Sequence, residues 1–102
     1  MIFKRRRYRD VIDRQLDLFA SEDGDLLDDV DRALGRYNAA DRDEAEELYG
    51  DYQLAIEAAT DRLAELRDAF AVTLEDPDDY VGEFNRAVVG RWPALALTIE
   101  ES

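Results

Sequence analysis

The chain has 102 residues, 46% of them hydrophobic, and a formal charge of −13 with neither cysteine nor histidine. That length and apolar content suit one domain, 1–102, with a core of its own. The missing residue types exclude disulfide frameworks, thiol nucleophiles, Ser-His triads and cysteine or histidine metal sites.

The N-terminal arm, residues 1–9, is the sharpest anomaly. Lys4, Arg5, Arg6, Arg7 and Arg9 put five of the thirteen basic residues into six positions, leaving residues 10–102 with 26 acids against 8 bases. Positive side chains at a helix start oppose the helix dipole, so this segment either frays or is held by something negative. Glu75, Asp76, Asp78 and Asp79 are the expected neutralising group within the fold. The functional alternative is an anchor on anionic lipid or a short arm on nucleic acid, with Ile2, Phe3 and Tyr8 contributing. The acidic body argues against nucleic acid elsewhere and is repelled by anionic membranes.

No run reaches the roughly 18 apolar residues of a membrane span, and Asp10, Asp13 and Arg14 interrupt any signal-peptide core. A cytoplasmic protein is expected. Asp-heavy, Ala-rich usage with Lys4 the only lysine fits a high-GC or salt-adapted microbe, bacterial or archaeal, and explains the charge without a specific role.

The first helix is predicted over about 5–37, from apolar positions Tyr8, Ile12, Leu16, Phe19, Leu26, Val30, Leu34 and Tyr37. Asp23 and Gly24 fall in this stripe, so a bend is expected at 22–25, with a stop and a restart capped by Asp25 as the alternative. Asp41 followed by Glu44 resembles a capping box and opens a second helix over about 42–75. Its stripe runs through Ala45, Leu48, Tyr52, Ile56, Ala59, Leu63, Leu66, Phe70 and Leu74. The two helices match in length and form a long antiparallel hairpin, in a register that sets Leu34 near Ala45 and Leu16 near Leu63.

Asp76 reads as the N-cap of a third helix over about 77–91, with Pro77 in its first turn. Leu95, Leu97 and Ile99 alternate with smaller or polar residues, which predicts an extended, half-buried tail over 92–102. The fold class is all-α.

Few residues suggest chemistry. The only serines are Ser21 and Ser102, no Gly-rich phosphate loop is present, and di-iron bundles need His. Asp23, Asp25, Asp28 and Asp29, or Asp76, Asp78 and Asp79, offer oxygens to a hard cation, but neither spacing fits a calcium loop. Helix capping and solvation account for these acids. The expectation is a non-enzyme without cofactor, a carboxylate-based ion site or enzyme standing as a further alternative.

The third helix, about 15 residues and so about 22 Å, spans only half of the hairpin groove. Leu26, Leu27, Val30, Leu34 and Tyr37 on the first helix, with Leu48, Tyr49, Tyr52 and Ile56 on the second, would stay uncovered at the turn. Such a patch marks an interaction surface. Either the extended tail closes it, or a homodimer or protein partner covers it. The leading expectation is a helical interaction or scaffold protein.

Overall fold

The computed structural model describes residues 7–102, which form five α-helices and no strand: α1 (Arg9–Glu22), α2 (Gly24–Asn38), α3 (Ala45–Ala71), α4 (Asp78–Arg91) and α5 (Ala96–Glu101). A single 3-10 turn, Pro93–Leu95, joins α4 to α5. The all-α class follows from the three- and four-residue spacing of apolar positions, interrupted only at Asp23. Lys4, Arg5 and Arg6, and with them most of the basic arm, lie outside the described residues.

The first helix breaks rather than bends. Asp23 leaves helical geometry at φ −116° and ψ 25°, and its amide donates to the Phe19 carbonyl at 2.8 Å as the last bond of α1. The Asp23 carbonyl then accepts from the Leu26 amide at 3.0 Å, so Asp23, not Asp25, is the joint between α1 and α2. The carboxylate that interrupts the apolar stripe accepts from Arg62 Nε on α3 at 3.2 Å. An acid in the stripe is tolerated because the break aims it at a cation, and Gly24 next to it gives the helix little reason to continue.

At the turn, Asp41 Oδ1 accepts from the Glu44 amide at 3.2 Å, the bond expected of an N-cap. Regular helix begins only at Ala45, with residues 42–44 in turns. The longer loop shifts the pairing. Tyr37 meets Tyr49 with ring centroids 5.3 Å apart, and Asp23 meets Arg62, both about six residues further along α3 than the expected register. Only α2 runs along α3 closely, whereas α1 packs chiefly on α4. The hairpin is therefore α2 with the first part of α3.

α3 ends at Ala71 rather than near residue 75, leaving Val72 83% exposed. α4 starts at Asp78, one residue beyond the predicted start, and Asp76 Oδ1 accepts from the Asp78 amide at 3.4 Å.

The predicted extended tail is helical instead. Leu95 and Ile99 are four residues apart, which is one helical turn, and both are buried, at 1% and 0% exposure, while Leu97 between them is 77% exposed. A strand would have buried all three on one face. Helical folding also shortens the segment: six residues of α5 span about 9 Å, so it cannot run along the hairpin to the turn.

The core sits at the end of the molecule away from the turn. Ile12, Leu16 and Phe19 of α1, Ala59 and Leu63 of α3, Tyr80, Phe84 and Val88 of α4, and Leu95 and Ile99 form one buried cluster. Each large member contributes about 1.5–3 kcal/mol by leaving water. Arg67 threads this end as a 4%-exposed guanidinium, donating to Asp68 Oδ1 (2.8 Å), Asn85 Oδ1 (3.0 Å), the Ile99 carbonyl (3.4 Å), Ser102 Oγ (3.1 Å) and the Ser102 backbone oxygen (3.2 Å). With all these acceptors it ties α3, α4 and α5 together. The α2–α3 turn projects from this core, and the molecule measures 52 × 25 × 22 Å.

Candidate functional site

The structure brings the predicted apolar residues of the turn half together and leaves most of them partly in water. Val30 and Ile56, at 6% and 8% exposure, form the seam between α2 and α3. Leu26, Leu27, Leu34, Tyr37, Leu48 and Tyr52 flank the seam and are only half-buried, and Tyr49 is exposed. One facing helix covers one stripe, and these residues spread over more than one. Tyr37, Tyr49 and Tyr52 form a tilted aromatic row, with centroid distances of 5.3 and 6.4 Å along it. Gln53 Nε2 donates to the Tyr49 hydroxyl at 3.4 Å.

The C-terminal segment meets the hairpin beside this row and creates two grooves. The first, about 380 Å³, lies between α3 and α5 and is lined by Tyr49, Tyr52, Gln53, Ile56, Glu57, Ala94, Leu97 and Thr98. Thr60 and Thr98, whose hydroxyls are 2.7 Å apart, join α3 to α5 just beyond it. The second, about 410 Å³, lies across the 3-10 turn and is lined by Leu27, Val30, Asp28, Asp31 and residues 91–95. Arg91 is already engaged on α1, donating to Asp17 Oδ1 at 2.7 Å and lying 3.7 Å from Asp13 Oδ1. Trp92 packs edge-on against Phe19 at 5.4 Å. Arg91 and Trp92, which line the second groove, are thus already engaged with α1.

Gln53, Glu57, Ala94 and Thr98 are not among the residues the sequence points to, and Leu97 enters there only as part of an extended tail. The Leu95–Ile99 spacing was the signal, because read as one helical turn it turns Leu97 outward.

Of the basic arm, Arg7 stacks its guanidinium 5.3 Å from the Tyr8 ring centroid, and Arg9 lies 3.9 Å from Asp13. Tyr8 packs edge-on against Tyr80 at 5.4 Å, which sets the start of α1 beside the start of α4. The Tyr8 amide donates to Glu83 Oε1 at 3.3 Å. Glu83 is 8% exposed, and its Oε2 has no hydrogen-bond partner among the described residues.

Among the acids weighed as ion ligands, Asp23 pairs with Arg62, Asp29 accepts from Arg32 at 3.0 Å, and Asp76 accepts from the Asp78 amide. No group of three or more carboxylates among the described residues is arranged to hold a metal ion. Tyr80 is fully buried, and its hydroxyl donates to Gln15 Oε1 at 2.8 Å. Burial pushes its pKa above the usual 10.0, against the opposing pull of the Arg67 charge. No described helix is long and apolar enough to cross a membrane. Comparison of the chain with protein-family models, with curated proteins and with solved structures finds no match.

Proposed function

We infer that the protein is a noncatalytic helical interaction or scaffold module that works through the turn half of its hairpin. The observation that carries this reading is that the one buried cluster is broad where α1, α4 and α5 meet α3 and narrows towards the turn, where it reaches only Val30 and Ile56. One end has a closed core of α1, α3, α4 and α5. The other is a helix pair whose seam is buried but whose flanking Leu34, Tyr37, Leu48, Tyr49 and Tyr52 stay in contact with water. A contiguous apolar patch of this kind costs solubility unless something covers it, and aromatic residues dominate the energetics of protein interfaces.

The test is Leu34→Ser combined with Tyr52→Ser, compared with wild type by light scattering at micromolar concentration and by copurification from the native host. Circular dichroism first establishes that the variant retains its helix content. A change in oligomeric mass or in copurifying proteins is expected. A folded variant with the same mass and the same partners refutes the reading. Light scattering also separates self-association from docking of a different protein, since only the first gives the wild type a multiple of 11.7 kDa.

A further inference from the structure

We propose that residues 93–102 form a hinged strap that lifts as one unit from a body of α1–α4 and, in lifting, joins the two grooves into one continuous channel. The motion is independent of the interaction reading above. Ala94 lines both grooves, with Leu97 and Thr98 beside it on the first and Pro93 and Leu95 on the second. The segment is thus the partition between them, with open space on either flank. Its outward side is bare as well, Leu97 being 77% exposed.

The strap is held from beneath, by α3 and α4. Two apolar pegs, Leu95 and Ile99 at 1% and 0% exposure, enter the buried cluster. Thr98 places its hydroxyl 2.7 Å from that of Thr60, and Arg67 donates to the Ile99 carbonyl and to Ser102. A helix of six residues does not persist by itself in water, so once one peg leaves its socket nothing keeps α5 in shape to retain the other. That makes the release cooperative.

The body can spare the strap. Ile12, Leu16, Phe19, Leu63 and Phe84 belong to the cluster through α1, α3 and α4 alone. Arg67 keeps Asp68 Oδ1 at 2.8 Å and Asn85 Oδ1 at 3.0 Å, both on the body, so lifting does not strand a buried guanidinium without acceptors. The hinge is equally well defined. Arg91 is tied to Asp17 at 2.7 Å and Trp92 packs on Phe19, which fixes the chain up to residue 92. Trp92 has already left helical geometry at φ −135° and ψ 80°, and the Pro93 ring disfavours a helical backbone at the residue before it. Beyond it, the 3-10 turn is joined to Trp92 by the Leu95 amide, which donates to the Trp92 carbonyl at 3.0 Å.

Thiol labelling tests the motion on the full chain. Because the sequence has no cysteine, Thr60→Cys supplies a single thiol on α3 beneath the strap, at a position 3% exposed. Labelling gives the open fraction, and circular dichroism in urea gives the globally unfolded fraction of the same protein. The open fraction should exceed the unfolded one by at least about tenfold without urea, and should rise only shallowly with urea until the two meet, since lifting uncovers little surface. Adding Ile99→Ala should raise labelling at least about tenfold, whereas adding Ile12→Val, a body substitution, should lower the urea midpoint and leave labelling in water unchanged within about twofold. In the wild type, the Leu95 amide and the hydrogen-bonded amides of α5 should share one level of exchange protection, below that of α1 and α3. Labelling that follows global unfolding at every urea concentration, or that rises in step with it for Ile12→Val, overturns the proposal, because the strap is then part of one cooperative unit. Protection that falls off residue by residue toward Ser102 overturns it too, since the end then frays instead of lifting.

Discussion

Replacing Arg67 by Met tests what fixes the C-terminal segment, and thereby one wall of the α3–α5 groove. Methionine keeps much of the volume but removes every donor that Arg67 offers to Asn85, Ile99 and Ser102. The acceptors suffer unequally. Asp68, with its side chain 62% exposed, recovers water, and the Ile99 carbonyl still accepts from Ser102 Oγ at 2.7 Å. Asn85 Oδ1 and the Ser102 backbone oxygen lose their Arg67 donor in partly buried surroundings. At about 1 kcal/mol each, the low end for such groups because water can reach them, the loss is about 2 kcal/mol. For a chain of this size that lowers Tm by about 10 °C. Calorimetry measures the shift, and hydrogen exchange locates it: amides of α5 should lose protection before those of α1 and α3. If the variant melts at the wild-type temperature, or α5 and α1 lose protection equally, Arg67 does not latch the tail. Removing a buried guanidinium would then relieve a desolvation cost as large as the hydrogen bonds it forfeits.

Four further outcomes follow from the same structure. Phe84→Ala, at a fully buried position in the centre of the cluster, should cost about 3–5 kcal/mol by urea unfolding, whereas Leu54→Ala, at 66% exposure, should stay within about 0.5 kcal/mol. A double-mutant cycle on Asp23→Ala and Arg62→Ala should return a coupling of no more than about 1 kcal/mol, since the pair is partly in water; a coupling near zero would mean that the break at Asp23 is set by the backbone and Gly24 alone. The raised Tyr80 pKa keeps the folded phenol neutral where an unfolded one ionises, so its contribution to stability is complete below pH 10.0 and declines as pH rises through the folded pKa. Tyr80→Phe should flatten that part of the stability curve, and an unchanged alkaline slope counts against Tyr80 as its source. Finally, ¹³Cα shifts over residues 96–101 should be helical; extended values would remove α5 and the groove with it.

Much of the architecture was legible because helical periodicity is redundant: no single residue decides a stripe of eight or nine. Boundaries and register were less legible because they hang on single contacts. The Asp41 carboxylate capping the Glu44 amide was visible as a residue pair, but residues 42–44 remained in turns, and that loop moved the pairing of α2 and α3. The choice between bend and break at Asp23 depended on Arg62, 39 positions away in the chain. The tail was not legible because Leu95, Leu97 and Ile99 satisfy a two-residue period and also contain a helical turn, and only packing against the core selects between them. The aromatic grouping near the turn followed from sequence, since Tyr37, Tyr49 and Tyr52 flank the chain reversal wherever the register falls. Leu97 did not, because its role in the groove depends on the conformation of a segment six residues long.

The turn-half surface is the claim on which the account depends, and it is tested most directly by comparing three proteins: wild type, the Leu34→Ser and Tyr52→Ser double variant, and Leu54→Ser on the opposite side of α3. Each is measured for mass by light scattering and for the species that copurify from the native host. The account predicts that wild type and Leu54→Ser behave alike and that the folded double variant loses the associated copy or partner. Loss of association with Leu54→Ser, or identical behaviour by all three proteins, contradicts it.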